Sequence, residues 1–389
     1  MVWNKINNYF STIKQISFLG IANVIPTIIA AIFWLYIASL VGDKIYGEIM
    51  YYLTIASIGI GITLLGAPSA LHVYAAKGER ILPTLATITF TTSFIGAVVT
   101  YFIFNNSGAS LHIFSYTIFA LIASEFLGRK LFKQYMKIMI IQKSLMTLFA
   151  ILLFYLIGKD GIILGIAVSF IPFILLYFKE FKKDKIDFSS LKSKKKFIIN
   201  NYLLENSRMV ASSMDKILIA PIFGFAILGN YALGLQFYAM FLIIPTIVFQ
   251  YIVPQDASGN PSIVLKKITF MVSILISFLG VIFSPLIVEI FFPEFLSAII
   301  IVQIIALGVI PGTINYLYIS KFLGNLQNKI ILFSSLIFLI TIIFGMIILG
   351  SLFGVEGIAA SFVLANTSES IFLLYMNRRD KYSEKNNLN

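Results

Sequence analysis

Along this chain, hydrophobic residues gather into long runs parted by short polar connectors. The runs cover approximately 15–41, 47–75, 81–104, 110–127, 138–157, 161–178, 197–222, 227–252, 267–292, 296–319, 330–349 and 357–376. A bilayer core of about 30 Å takes about 20 residues of helix to cross, so the pattern predicts an all-α integral membrane fold with about twelve transmembrane helices. Connectors such as Gly158-Lys159-Asp160-Gly161 are only a few residues long, so the helices they join run antiparallel, side by side.

Lys and Arg test that count, because cytoplasmic connectors collect them. Alternate connectors carry Lys5 and Lys14, then Lys77 and Arg80, then Arg129, Lys130, Lys133 and Lys137, then the dense run over 179–196. Further along come Lys266 and Lys267, Lys321 and Lys329, and finally Arg378, Arg379, Lys381 and Lys385, whereas the intervening connectors hold only Lys44 and Lys159. The alternation predicts an even number of spans with both termini in the cytoplasm, in a multi-pass protein of the cell membrane. The polar, weakly basic N-terminal stretch leads into an apolar run longer than a signal peptide and without a small-residue cleavage site, so it reads as a retained first helix.

Segment 179–196, KEFKKDKIDFSSLKSKKK, is the one long polar connector. It parts an N-terminal bundle over 1–178 from a C-terminal bundle over 197–376, with a cytoplasmic tail over 377–389. A solvated linker touching anionic headgroups accounts for its lysines, and docking of a partner is the sharper alternative. The two halves also echo one another. Ile37-Ala38-Ser39-Leu40-Val41-Gly42 with Gly47 matches Ile219-Ala220-Pro221-Ile222-Phe223-Gly224 with Gly229 at an offset of 182 residues, and both glycines of each copy are expected to serve one tight turn. A second echo joins Gly158-Lys159-Asp160-Gly161-Ile162 to Gly354-Val355-Glu356-Gly357-Ile358. Together they predict two parallel bundles of about six helices each around a central cavity, an arrangement suited to alternating access.

Composition agrees with lipid as the main solvent: 59% of the 389 residues are hydrophobic and 12% charged. The formal net charge of +12 would suggest nucleic acid for a soluble domain, but here it is spread over connectors, so no nucleic-acid partner is expected. There is no cysteine, and His72 and His112 are too few for a metal centre. No phosphate loop, dinucleotide turn or nucleophile elbow is present, so neither a cofactor nor an enzymatic activity is expected.

Polar groups inside the runs are the candidates for function, since an ionisable side chain costs about 2.5–3.5 kcal/mol at the bilayer centre by insertion scales. At 100° per residue, Asn201, Glu205, Arg208, Ser212, Asp215 and Lys216 fall within an arc of roughly 100° on the seventh helix. Ion pairs that only fasten helices together are one reading. The other is a cavity lining, with Arg208 and Lys216 drawing an anionic group and Glu205 or Asp215 holding a coupling H+ or Na+. Lys143 either lines the cavity or snorkels to the interface. Glu369 either faces the interior of the second bundle, as a further candidate for ion coupling, or sits in an interfacial turn, and Asn23 near Pro26, with Gly66 near Pro68, marks a bend where backbone groups come free.

The segments IASLVGDKIYGEIMYY, MDKILIAPIFGFAILGNYALGLQFYA and FGVEGIAASFVLAN resemble the Wzx-type polysaccharide flippases of the multidrug/oligosaccharidyl-lipid/polysaccharide exporter superfamily. The recurrent pattern there, an Asp, an apolar run, a Gly and then Leu-Gly-x-Tyr, is matched by Asp215, Gly224, Leu228, Gly229 and Tyr231. The resemblance implies translocation of a polyprenyl-pyrophosphate-linked oligosaccharide from the cytoplasmic to the outer leaflet, for surface glycan assembly. It implies membrane lipids, a glycan polymerase and glycosyltransferases as partners, and a cationic lumen into which Arg208 and Lys216 fit. An ion-coupled drug or metabolite antiporter of the same fold is the alternative. A membrane-embedded glycan polymerase would carry a large outside loop rich in Arg or His, which this chain lacks.

Overall fold

The computed structural model describes residues 2–182, 185–259, 262–325 and 327–386, and side chains within 18–379 apart from Leu204, Arg208, Ala211, Ser212 and Pro254. Lys183 and Asp184 of the long connector and 387–389 of the tail lie outside the described residues. The described chain is helical almost throughout, as a backbone in lipid must be to satisfy its own polar groups. In order come α1 (Val2–Leu64), α2 (Ala67–Ala76), α3 (Leu82–Phe104), α4 (Ser107–Gly128), α5 (Phe132–Ile157), α6 (Asp160–Val168), α7 (Ile174–Phe181) and α8 (Ser189–Lys192). They are followed by α9 (Lys195–Phe223), α10 (Phe225–Phe241), α11 (Ile243–Ala257), α12 (Ile263–Phe291), α13 (Ala298–Leu307), α14 (Val309–Gly324) and α15 (Asn328–Asn386).

Among the described residues, seven helices are long and apolar enough to cross a membrane, or nine when each of two bent pairs counts as one span. This is a multi-pass membrane architecture with fewer separate spanning helices than the sequence predicts. Continuity explains part of the difference. Phe18–Leu64 runs for 47 residues and Asn328–Arg379 for 52, each about 70 Å or more and over twice a bilayer core. Gly42 (φ 73°) interrupts the first and Gly354 (φ 59°) the second. The bent pairs are α10 with α11, at 50°, and α13 with α14, at 40°. The 29-residue α9 is not among the seven; it carries Lys195, Lys196, Glu205, Arg208, Asp215 and Lys216.

The chain divides into two compact units, 1–34 with 52–210 and 35–51 with 211–389. In the first, α4 packs against α2, α3, α5, α6 and α7. It is the most buried of the seven spans because Gly108, Ala109, Ser110, Ser115, Ala120 and Ala123 let neighbouring backbones close in. In the second, α13 and α15 enclose Ile301, Ile305, Ile358 and Phe362, with Leu228 and Tyr231 of α10 against them.

The internal repeat acquires a physical meaning here. Gly42 and Gly224 (φ 91°) occupy the left-handed region and turn the chain at equivalent places. Gly47 and Gly229 do not share that turn. A Cβ on Gly47 would overlap the Phe225 carbonyl oxygen, and one on Gly229 the Asp43 carbonyl oxygen, so the two glycines let one helix of the second unit cross another backbone to backbone. The second echo repeats the division of labour: Gly158 and Gly354 turn, while Gly161 and Gly357 sit against the carbonyl oxygens of Leu153 and Leu349.

Candidate functional site

The second unit holds a carboxylate in an otherwise neutral polar cluster. Glu369 lies on α15 with Asn366 and Ser370 on the same face, as spacings of three and four dictate. Asn315, from α14, donates its amide to Glu369 Oε2 at 3.1 Å and to the Asn366 carbonyl oxygen at 3.2 Å. Ser334, on the other leg of α15, donates to Glu369 Oε1 at 2.9 Å, and Ser370 donates to Asn315 Oδ1 at 2.6 Å. Tyr238 of α10 reaches Asn366 Oδ1 at 3.3 Å. Glu369 is 9% exposed, and no cationic side chain among the described residues pairs with it. A buried carboxylate is tolerated when neutralised or given a counter-charge, so this constellation of oxygens suits a proton or a small monovalent cation.

The other buried acids of this unit are already matched. Asp215 accepts from Tyr231 Oη at 3.0 Å, from the Lys216 backbone at 2.8 Å and from Lys216 Nζ at 3.2 Å. The first and last members of the Asp-to-Tyr sequence pattern are thus hydrogen-bonded to each other. Asp256 accepts from Lys266 Nζ at 2.7 Å and from Ser320 at 2.6 Å. The half-buried Asp43 also has a partner, accepting from the Asn230 amide at 2.9 Å.

The first unit presents the opposite case. Lys143, half-buried on α5, has Met146 Sδ at 3.8 Å as its polar neighbour, and no carboxylate among the described residues pairs with it. His112 of α4 lies within electrostatic reach of this ammonium, stacks on Phe170 with centroids 5.5 Å apart, and leaves its buried Nδ1 without a partner among the described residues. An ammonium in such a place calls for water or for an anion.

Of the remaining candidates, Glu205 accepts from Ser69 of α2 within the first unit. Its neighbour Asn206 donates to the Gly61 carbonyl oxygen at 3.2 Å. Asn201 and Asn23 return their amides to their own helices, at Phe197 and Leu19. Arg208 and Ser212 lie on α9 with side chains outside the described residues. The α9 stripe is therefore not one described network: Asn201 and Glu205 belong to the first unit, Asp215 and Lys216 to the second. Asn315, Ser334, Ser370, Tyr238 and His112 were not among the sequence candidates. Amides and hydroxyls carry no charge to draw notice, and the only sequence signal is a polar residue interrupting an apolar run.

Neither a protein-family model nor a curated protein sequence matches this chain. Solved structures do. An inward-facing multidrug resistance MATE family transporter of the MOP superfamily superposes with a TM-score of 0.75 over 95% of this chain and 99% of its own, at 13% identity. The lipid II flippase MurJ, in an inward closed conformation, gives 0.73 over 93% and 87%, at 15% identity. A MOP superfamily transporter from Pyrococcus furiosus, described as having a binding pocket of reverse polarity that suggests a different function, gives 0.60 over 94% and 92%, at 13% identity. Taken with the spans above, these likenesses show that the chain has the fold shared by the MATE and MurJ transporters.

Proposed function

We propose that this protein is a flippase that moves a polyprenyl-pyrophosphate-linked oligosaccharide from the cytoplasmic to the outer leaflet by alternating access. The observation that carries the reading is the half-buried ammonium of Lys143, which has no carboxylate partner among the described residues, fits an anionic pyrophosphate and would repel an organic cation. Sharing a fold with a lipid II flippase supports a lipid-linked substrate. Counting each leg of α1 and α15 beside its glycine, then α3, α4, α5, α6 with α7, α9, α12 and the two bent pairs gives twelve spans, in keeping with two bundles over 1–178 and 197–376. Both termini would then be cytoplasmic.

Glu369 supports coupling to H+ or Na+, and it also favours a second reading, an ion-coupled drug or metabolite antiporter. Leaflet-specific labelling of lipid-linked oligosaccharide in cells depleted of the protein separates the two. Accumulation on the cytoplasmic leaflet is the expected result; an unchanged distribution, in cells lacking a second flippase, would move the antiporter reading to the front.

A further inference from the structure

The long basic connector does not hang free. Asp187 donates its backbone N–H to Thr84 Oγ1 of α3 at 2.9 Å, and its carboxylate accepts from the Ser189 backbone and hydroxyl at 2.9 and 2.6 Å, which starts the short helix α8. Held in this way, α8 roofs a cavity of about 650 Å³ against α3 and the beginning of α9, wholly within the first unit. Its walls are apolar: Leu85 and Ile88 from α3, Phe188 and Leu191 from the connector, Ile199 and Leu203 from α9.

A second hollow, of about 430 Å³, adjoins the first and shares Lys192, Lys195 and Ile199 with it. Its other walls are Ser193, Lys196 and Asn200, so three lysines, a serine and an asparagine line a hollow that adjoins the apolar groove. Lys195 and Lys196 are the first two residues of the 29-residue α9, whose N-terminal dipole adds to their positive field. The contrast with Lys194 is informative. That ammonium is spoken for, by Glu79 at 2.8 Å and by the face of Tyr74 at 5.3 Å, whereas Lys192, Lys195 and Lys196 are exposed and carry no ion pair among the described residues.

An apolar groove that opens into a basic bowl has the polarity of an anionic amphiphile. We propose that it is a binding site for one anionic glycerophospholipid of the cytoplasmic leaflet, with acyl chain along Leu85, Ile88 and Leu203 and phosphate on Lys192, Lys195 and Lys196. The site makes no use of Lys143 or Glu369 and stands whether the transported molecule is a lipid-linked glycan or a drug.

Native mass spectrometry of the full-length protein, delipidated in detergent and titrated with phosphatidylglycerol or with phosphatidylcholine of the same chains, tests it. Phosphatidylglycerol is expected to be retained about tenfold more, and K192Q/K195Q/K196Q to fall to the phosphatidylcholine level, while the exposed-site variant Leu203→Trp blocks the groove and lowers retention with the lysines intact. Equal retention of the two lipids by the unaltered protein, or undiminished phosphatidylglycerol in both variants, would overturn the proposal. So would displacement of phosphatidylglycerol by a stoichiometric amount of polyprenyl phosphate, which would give the groove to a different lipid.

Discussion

The two units each hold an ionisable side chain without an ion-pair partner among the described residues: Lys143 in the first, with no carboxylate on it, and Glu369 in the second, with no cation. Both sit in apolar helices where such a residue is costly, and the cost is met in different ways. The acid accepts from neutral donors on α14 and on the other leg of α15, whereas among the described residues the base meets the Met146 thioether. Nearby Asp256 shows what the same fold does when a charge is merely structural, closing it with Lys266 and Ser320. On the proposed reading, the base of the first unit would serve an anion and the acid of the second a proton or cation.

The largest effect belongs to the paired control. Asp256→Ala strands a largely buried ammonium and is expected to lower stability by about 3–5 kcal/mol. The double change with Lys266→Ala should recover most of that loss in a thermal-shift series. A double variant no more stable than the single would remove the distinction between paired and unpaired acids. Next comes Glu369→Gln. Hydrogen bonds to a charged group are each worth about 1.5–3 kcal/mol, and tenfold in binding is about 1.4 kcal/mol, so ion-driven transport in proteoliposomes should fall about a hundredfold and lose its dependence on the gradient. Gradient dependence that survives in Glu369→Gln would show that the carboxylate only holds helices together.

Lys143→Gln should weaken binding of a pyrophosphate-bearing lipid about tenfold, equivalent to about 1.4 kcal/mol, with Lys143→Arg retaining most of it. If arginine fails where glutamine succeeds, positive charge is not what the position contributes. The smallest effect lies in the connector. Hydrogen bonding from Ser189 holds the exposed Asp187 carboxyl below the ordinary value of 3.8, so its capping is present above that value and is lost as pH falls through the lower folded one. Amide protection at Ser189 and Ser190 should follow this course in hydrogen exchange, and protection unchanged across that range would mean that Thr84 alone holds the connector.

Much of the fold is legible in the sequence because lipid imposes one rule on every segment: about 20 apolar residues per crossing, with lysine and arginine left on one side. The glycine echoes were legible as well, although their use was not. In a string of letters, Gly42 and Gly47 are two glycines beside a turn; packing shows that the first breaks the helix and the second admits Phe225. The candidate site was legible where it is charged, at Glu369 and Lys143, and silent where it is neutral.

That the chain is helical and built of apolar spans could be read from the order of residues alone, because those properties are sums over many residues. Which ionisable groups are spent on each other was left to tertiary structure. Asp215 and Asp256 find Tyr231 and Lys266 within 3.0 Å, and among the described residues Glu369 finds an amide and a hydroxyl, on segments that are neighbours in space and 35 to 54 residues away in sequence. A charge's partner is fixed by distances of a few ångströms, which the order of residues along helices does not contain.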